Sequence, residues 1–133
     1  MKGAPNIGTT SEFSFVVSPE HVITFATDGM PAVLSTPKLI GIFERTAREA
    51  IAPFLEADER SVGVEIELRH LSPTPLGARV IALARVIHTD GRLVDYQIEA
   101  RDEHELIARG VHKRAVIRIE PFARRVQRKA TPV

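Results

Sequence analysis

Between Ser35 and Pro53 lies the one stretch of this chain that can form a long helix, and almost everything that follows alternates as strands do. Ser35-Thr36-Pro37 offers a hydroxyl N-cap and then a proline at the start of the helix, where its missing N–H and fixed φ cost nothing. Pro53 stops the run at about Ala52, which predicts roughly 16 residues and ~24 Å of helix. At 100° per residue Ile40, Phe43, Ala47 and Ile51 form one apolar stripe, with Arg45, Arg48 and Glu49 turned away from it. One such helix cannot bury its own stripe, so a sheet has to cover it.

The strands are legible on both sides of the helix. Phe13, Phe15 and Val17 recur at period two in Ser11–Val17, and Ser18-Pro19 ends that strand. His21 to Leu34 is irregular, with Gly29 and Pro31 as breakers, and reads as a loop or lid holding one short helical turn. After a loop at Glu56–Arg60, Val62, Val64, Ile66, Leu68 and His70 share one face, and Glu65, Glu67 and Arg69 share the other. Ser72–Gly77 is turn chemistry, and Arg79–His88 is apolar on both faces, as a central strand would be. Asp90-Gly91 signals a tight hairpin into Arg92–Arg101, and Asp102–His104 turns into a last strand, Glu105–Ile119. The expected fold is α+β, an antiparallel sheet wrapped around one long helix, which by element order is the layout of the hot-dog fold. The domain is expected over residues 1–122, with 123–133 as a mobile basic tail carrying Arg124, Arg125, Arg128 and Lys129.

Composition narrows the chemistry. At 133 residues one domain is expected, and 44% hydrophobic residues suffice to fill its core. Cysteine is absent, which removes thiol nucleophiles, cysteine-ligated zinc and iron–sulfur clusters. The 18 basic against 17 acidic side chains leave no overall field toward nucleic acid or an anionic membrane. The longest apolar run, Val80–Ala84, is far below the roughly 20 residues of a membrane span. Met1-Lys2-Gly3-Ala4-Pro5 has no apolar stretch behind it, so no signal peptide is expected and the cytoplasm is the expected location. His21, His88, His104 and His112 lack metal-ligand spacing, and no metal is expected.

Two residues break the apolar pattern. Glu44 falls about 40° from Ile40 and about 20° from Ile51 on the helical wheel, which places a carboxylate in the stripe. His70 shares the strand face that turns toward the helix, so the two are expected to face one another. An imidazole beside a carboxylate is an acid/base unit that titrates near neutrality. The plainer alternatives are a Glu44 at the stripe's margin meeting an arginine, and a His70 that is a satisfied core histidine. Ser35 and Thr36 supply hydroxyls at a helix N-terminus, where negative charge is favoured, and one of them is expected merely to cap the helix. Thr36 precedes Glu44 by about 12 Å of helix, so a site using both is more economically built from two chains.

With those residues in place, the chain resembles the fluoroacetyl-CoA thioesterase family of hot-dog proteins. The resemblance runs from Pro31 to Val126 and is carried by Ser-Thr-Pro-Lys-Leu-Ile-Gly-Ile-Phe-Glu-Arg (35–45), Ala-Pro-Phe-Leu-Glu (52–56), Ser-Val-Gly-Val (61–64), Arg-His-Leu-Ser-Pro-Thr-Pro-Leu-Gly (69–77) and Arg-Ala-Val-Ile (114–117). It implies that Thr36, Glu44 and His70 stand where the family's catalytic threonine, glutamate and histidine stand. It also implies that Gly63 and Arg114 match substrate-pocket residues, and that the protein is a homodimer binding acyl-CoA at its interface, with no cofactor beyond the CoA of the substrate. The segment ahead of Pro31 is shorter than the family's lid and has Gly29-Met30 where the fluoroacetyl enzyme lines its pocket with phenylalanines. Hydrolysis of short acyl-CoA thioesters, without specificity for fluoroacetyl, is therefore the expectation. The alternatives are a non-catalytic acyl-CoA or acyl-carrier binder, and an enoyl-CoA hydratase. The hydratases resemble one another in an Asp followed five positions later by His, and none of Asp28, Asp58, Asp90, Asp95 and Asp102 has that His.

Overall fold

The computed structural model describes residues 1–23 and 29–132. In chain order they form β1 (Thr10–Val16), a 3-10 turn (Pro19–His21), α1 (Thr36–Ile51), a second 3-10 turn (Ala52–Phe54), β2 (Glu59–His70), β3 (Arg79–Asp90), β4 (Leu93–Arg101), β5 (Leu106–Arg118) and α2 (Ile119–Ala130). The strands make one antiparallel sheet in the order β1-β3-β4-β5-β2, and α1 packs across it, chiefly over β3 and β1. This is the α+β hot-dog architecture. Part of the expected lid between His21 and Leu34, residues 24–28, lies outside the described residues.

Ser35 caps α1, its Oγ accepting from the Lys38 N–H at 3.3 Å, while Pro37 sits in the first turn. The buried face of α1 is Leu39, Ile42, Phe43, Thr46, Ala47, Ala50 and Ile51. That face is centred on Leu39 and Ala50 rather than on Ile40, which is only partly buried. Burying Phe43 or Leu39 completely stabilises the fold by about 1.5–3 kcal/mol each. Opposite them β3 presents Val80, Ala82, Ala84 and Val86, whose small side chains let the helix approach the sheet.

Three expectations are corrected. Val62 and Val64 do not share the helix-facing side of β2 with Ile66 and Leu68, because a bulge lies between Gly63 and Glu65 and leaves Val64 as the extra, exposed residue. Ser61 and Gly63 face inward before the bulge, and Ile66, Leu68 and His70 after it. The central strand is β4 and not β3, whose outer residues Ile81 and Ile87 are exposed. The third concerns the expected boundary at residue 122: Ile119–Ala130 is helical, with Ile119, Phe122 and Val126 exposed along one side, so residue 122 falls inside α2. The hairpin after β3 turns through Gly91-Arg92, with Gly91 at φ +59° and Asp90 paired with Leu93.

Gly110 sets how closely β2 and β5 can run. A Cβ there would overlap the main-chain carbonyl of Glu67, which neither strand can move without losing its ladder. Gly110→Ala should therefore cost about 1–3 kcal/mol or more. Gly41→Ala, in open space on α1, should instead stabilise by about 0.5–1 kcal/mol. Urea unfolding of the two variants checks this, and an unchanged midpoint for Gly110→Ala would contradict it.

Candidate active site

The loop after β2 is what brings a helix start and a strand end together. Thr74 Oγ1 donates to Asp102 Oδ2 at 3.1 Å, and Asp102 Oδ1 accepts from the N–H groups of His104 and Glu105 at 2.8 and 3.0 Å. The same loop is tied to the segment before α1 by Leu34 N–H donating to Thr74 O at 2.8 Å. In consequence Thr36 Oγ1 and His70 Nδ1 lie 2.8 Å apart. Ser35 does the capping, which leaves the Thr36 hydroxyl free for the imidazole. Pro37 has no N–H, and those of Lys38 and Leu39 are taken by Ser35, so the Thr36 N–H is the donor left at the start of α1 among the described residues. The pair opens on a cleft of about 280 Å³ lined by Ile23, Val33, Leu71 and Pro73.

Burial holds the His70 imidazole below its ordinary pKa, opposed by the main chain of Ser72. Neutral at physiological pH, it can accept a proton from the hydroxyl at Nδ1. Nε2 is buried without a hydrogen-bond partner among the described residues.

Glu44 is elsewhere. It does not face His70 within this chain, contrary to the sequence expectation, because the wheel centred on Leu39 puts it at the margin of the buried face. Its side chain is 43% exposed, and its Oε2 lies 3.8 Å from Arg114 Nη1 on β5. Gly63 makes room for it: a Cβ at that position would come within 2.7 Å of Glu44 Oε2. Glu44, Gly63 and His112 line a second hollow of about 200 Å³. The structure thus gathers Thr36 with His70, and Glu44 with Gly63 and Arg114, in two separate groups. A larger depression, about 900 Å³ on the outer face of the sheet between Glu67, Ile87 and Arg109, holds neither group.

Arg114 is 3% exposed and fixed on three sides. Its Nε donates to Ser61 Oγ at 3.0 Å, its Nη2 to Ser61 O at 2.9 Å and its Nη1 to His112 Nε2 at 3.3 Å. Burial lowers its pKa, with Tyr96 and Glu44 opposing. His112 and Ser61 were not singled out from the sequence. Both strand parities of β5 mix apolar and charged residues, so only the cross-strand register, Tyr96 to His112 to Ile66, shows that His112 turns inward.

A profile of the fluoroacetyl-CoA-specific thioesterase family matches residues 17–120. The fluoroacetyl-CoA thioesterase of Streptantibioticus cattleyicolor is 32% identical over 137 aligned positions, covering 97% of each chain. Among solved structures, the fluoroacetyl-CoA thioesterase superposes with a TM-score of 0.88 at 31% identity, covering 98% of this chain and all of that one. A variant of a fluoroacetyl-CoA-specific thioesterase in complex with fluoroacetate and CoA gives 0.81 at 31% identity, covering 88% of this chain and 98% of that one.

Proposed function

Since this chain belongs to the fluoroacetyl-CoA-specific thioesterase family and is a thioester hydrolase, we propose that it cleaves a short-chain acyl-CoA to the free acid and CoA at sites shared by two copies of the chain. Each site takes Thr36 and His70 from one protomer, with Glu44 and Arg114 from its partner. The observation that carries this reading is the 2.8 Å bond between the Thr36 hydroxyl and a neutral His70 at the start of α1, with Glu44 held apart beside Gly63 and Arg114.

The free edge of β2 supports the pairing of two chains. It is an edge strand of 12 residues, and an unpaired edge of that length is a template for another strand. Two β2 strands joined antiparallel about a two-fold axis run in opposite directions, so the His70 end of one meets the Gly63 end of the other. That geometry closes the gap between the two groups of residues.

In the proposed reaction His70 takes the proton of the Thr36 hydroxyl as its oxygen attacks the thioester carbonyl, a hydroxyl–imidazole arrangement of the usual nucleophilic kind. The Thr36 N–H and the positive end of α1 stabilise the developing oxyanion. The thiolate leaves with the proton held by His70; the Glu44 carboxylate from the other chain then draws a proton from the water that attacks the acyl–Thr36 ester, and that proton passes to the Thr36 oxygen as the ester bond breaks and the acid leaves. CoA is part of the substrate, and the reaction as written uses no further cofactor.

Release of free thiol from acetyl-, propionyl- and fluoroacetyl-CoA tests this reading. All three should turn over, because Gly29-Met30 supplies no aromatic wall to select fluoroacetyl. The acid limb of kcat/KM should lie below pH 6.5, since burial lowers the His70 pKa and the imidazole becomes protonated, and useless as a base, only below that lowered value. No turnover of any of them would refute the reading, and a preference for fluoroacetyl-CoA by orders of magnitude would refute its substrate part.

A further inference from the structure

We infer that His112 is a positioning residue, whose Nε2 lone pair fixes the Arg114 guanidinium and through it the Glu44 carboxylate; the inference rests on the role proposed above for Glu44 and extends it. The imidazole is held on three sides. Nδ1 lies 2.8 Å from the main-chain oxygen of Glu65, which can only accept, so Nδ1 carries the proton. Nε2 is then an acceptor, and Arg114 Nη1 donates to it at 3.3 Å. The Tyr96 ring stacks on the other side, with centroids 6.0 Å apart.

Each bond has a structural cause. The bulge after Gly63 brings the Glu65 carbonyl over His112, and the β4–β5 register puts Tyr96 directly across from it. Ser61 holds the other side of the guanidinium through Nε and Nη2. Clamped between Ser61 and His112, Arg114 keeps Nη1 directed at Glu44. A buried arginine without that clamp would turn among several orientations, and the carboxylate beside it would follow. The groups facing His112 are Arg114 on its own strand, Glu44 from α1, the Glu65 main chain on β2 and Tyr96 on β4. Burial and the Arg114 charge lower its pKa against the pull of Glu65 and Glu44, which keeps the imidazole neutral.

Asn and Gln separate this role from mere packing, because Asn can replace Nδ1 and Gln can replace Nε2. His112→Asn keeps a donor for Glu65 and loses the acceptor, so kcat should fall by about tenfold, the value of a hydrogen bond to a charged group, with KM nearly unchanged. His112→Gln should stay within about threefold of the parent, because its carbonyl can accept from Arg114. In 15N NMR the Arg114 Nη signals should be resolved in the parent and in His112→Gln, and averaged in His112→Asn. Equal kcat and equal Nη spectra for the two variants would overturn the inference. Should both fail to fold, the 15N shifts of His112 in the parent protein decide it: an Nδ1–H tautomer supports the acceptor role, and an Nε2–H tautomer refutes it. The NMR readouts do not depend on turnover, so a parent protein that hydrolysed no thioester would refute the functional reading while these still judged the His112–Arg114 bond.

Discussion

Replacing Glu44 with Gln should lower acyl-CoA turnover by about 10²-fold or more, the scale of a positioned acid/base group. Glutamine keeps the shape and the room made by Gly63, but it can neither take a proton from water nor present a charge to Arg114 at 3.8 Å. The loss should fall on kcat, and the melting temperature should hardly move. Glu44 lies at the margin of the buried face with its side chain 43% exposed, so neutralising it changes little burial. Glu49→Gln is the control within the same helix. Glu49 pairs on the solvent side with Arg45 at 3.1 Å, an exposed i,i+4 pair worth about 0.3–0.5 kcal/mol. Its replacement should leave turnover near the parental value. Parental turnover in Glu44→Gln, measured as thiol release from acetyl-CoA, would remove Glu44 from the mechanism.

How much of this was legible in the sequence depended on which physical signal each element carries. α1 was, from its cap to its last turn, because Ser35, Pro37 and Pro53 act locally through backbone geometry. So were five strands and the short turns joining β3 to β4 and β4 to β5, since hydrophobic alternation and turn residues are also local; that β2 lies beside β5 and β1 beside β3 left no local mark. The β2 bulge was not, because Val62, Val64, Ile66 and Leu68 alternate without a break in sequence, and only pairing with β5 shows that Val64 is the inserted residue. That slip left the side of His70 unaffected, since His70 is in phase with Leu68 after the bulge. The side of Glu44 was misjudged for a related reason: a stripe anchored on Ile40 and Ile51 takes in Glu44, whereas the face that actually packs is centred on Leu39 and Ala50. α2 was missed because four basic residues crowd Arg124–Lys129, and the Ile119, Phe122 and Val126 stripe is short and unburied.

Glu44 and His70 stood out as polar residues on apolar faces and Thr36 as a hydroxyl at the helix start; the resemblance assigned their roles, and the structure adds that they fall into two groups. Arg114 was named only by resemblance. Its clamp by Ser61 and His112 spans β2 and β5, and contacts between strands distant in sequence leave no local mark.

The central claim, that a site takes Thr36 and His70 from one chain and Glu44 from the other, is tested most directly with mixed dimers carrying two different tags and purified by both. Pairing a His70→Ala chain with a Glu44→Gln chain leaves one complete site, formed by Thr36 and His70 of the second chain and Glu44 of the first. Turnover should return to about half that of the parental dimer, although each variant alone is nearly inactive. Pairing the parental chain with a chain bearing both substitutions should give almost none, because each site then lacks one of its members. The reverse pattern, with activity in the second pairing and none in the first, would place Thr36, His70 and Glu44 of a single chain in one site and contradict the account.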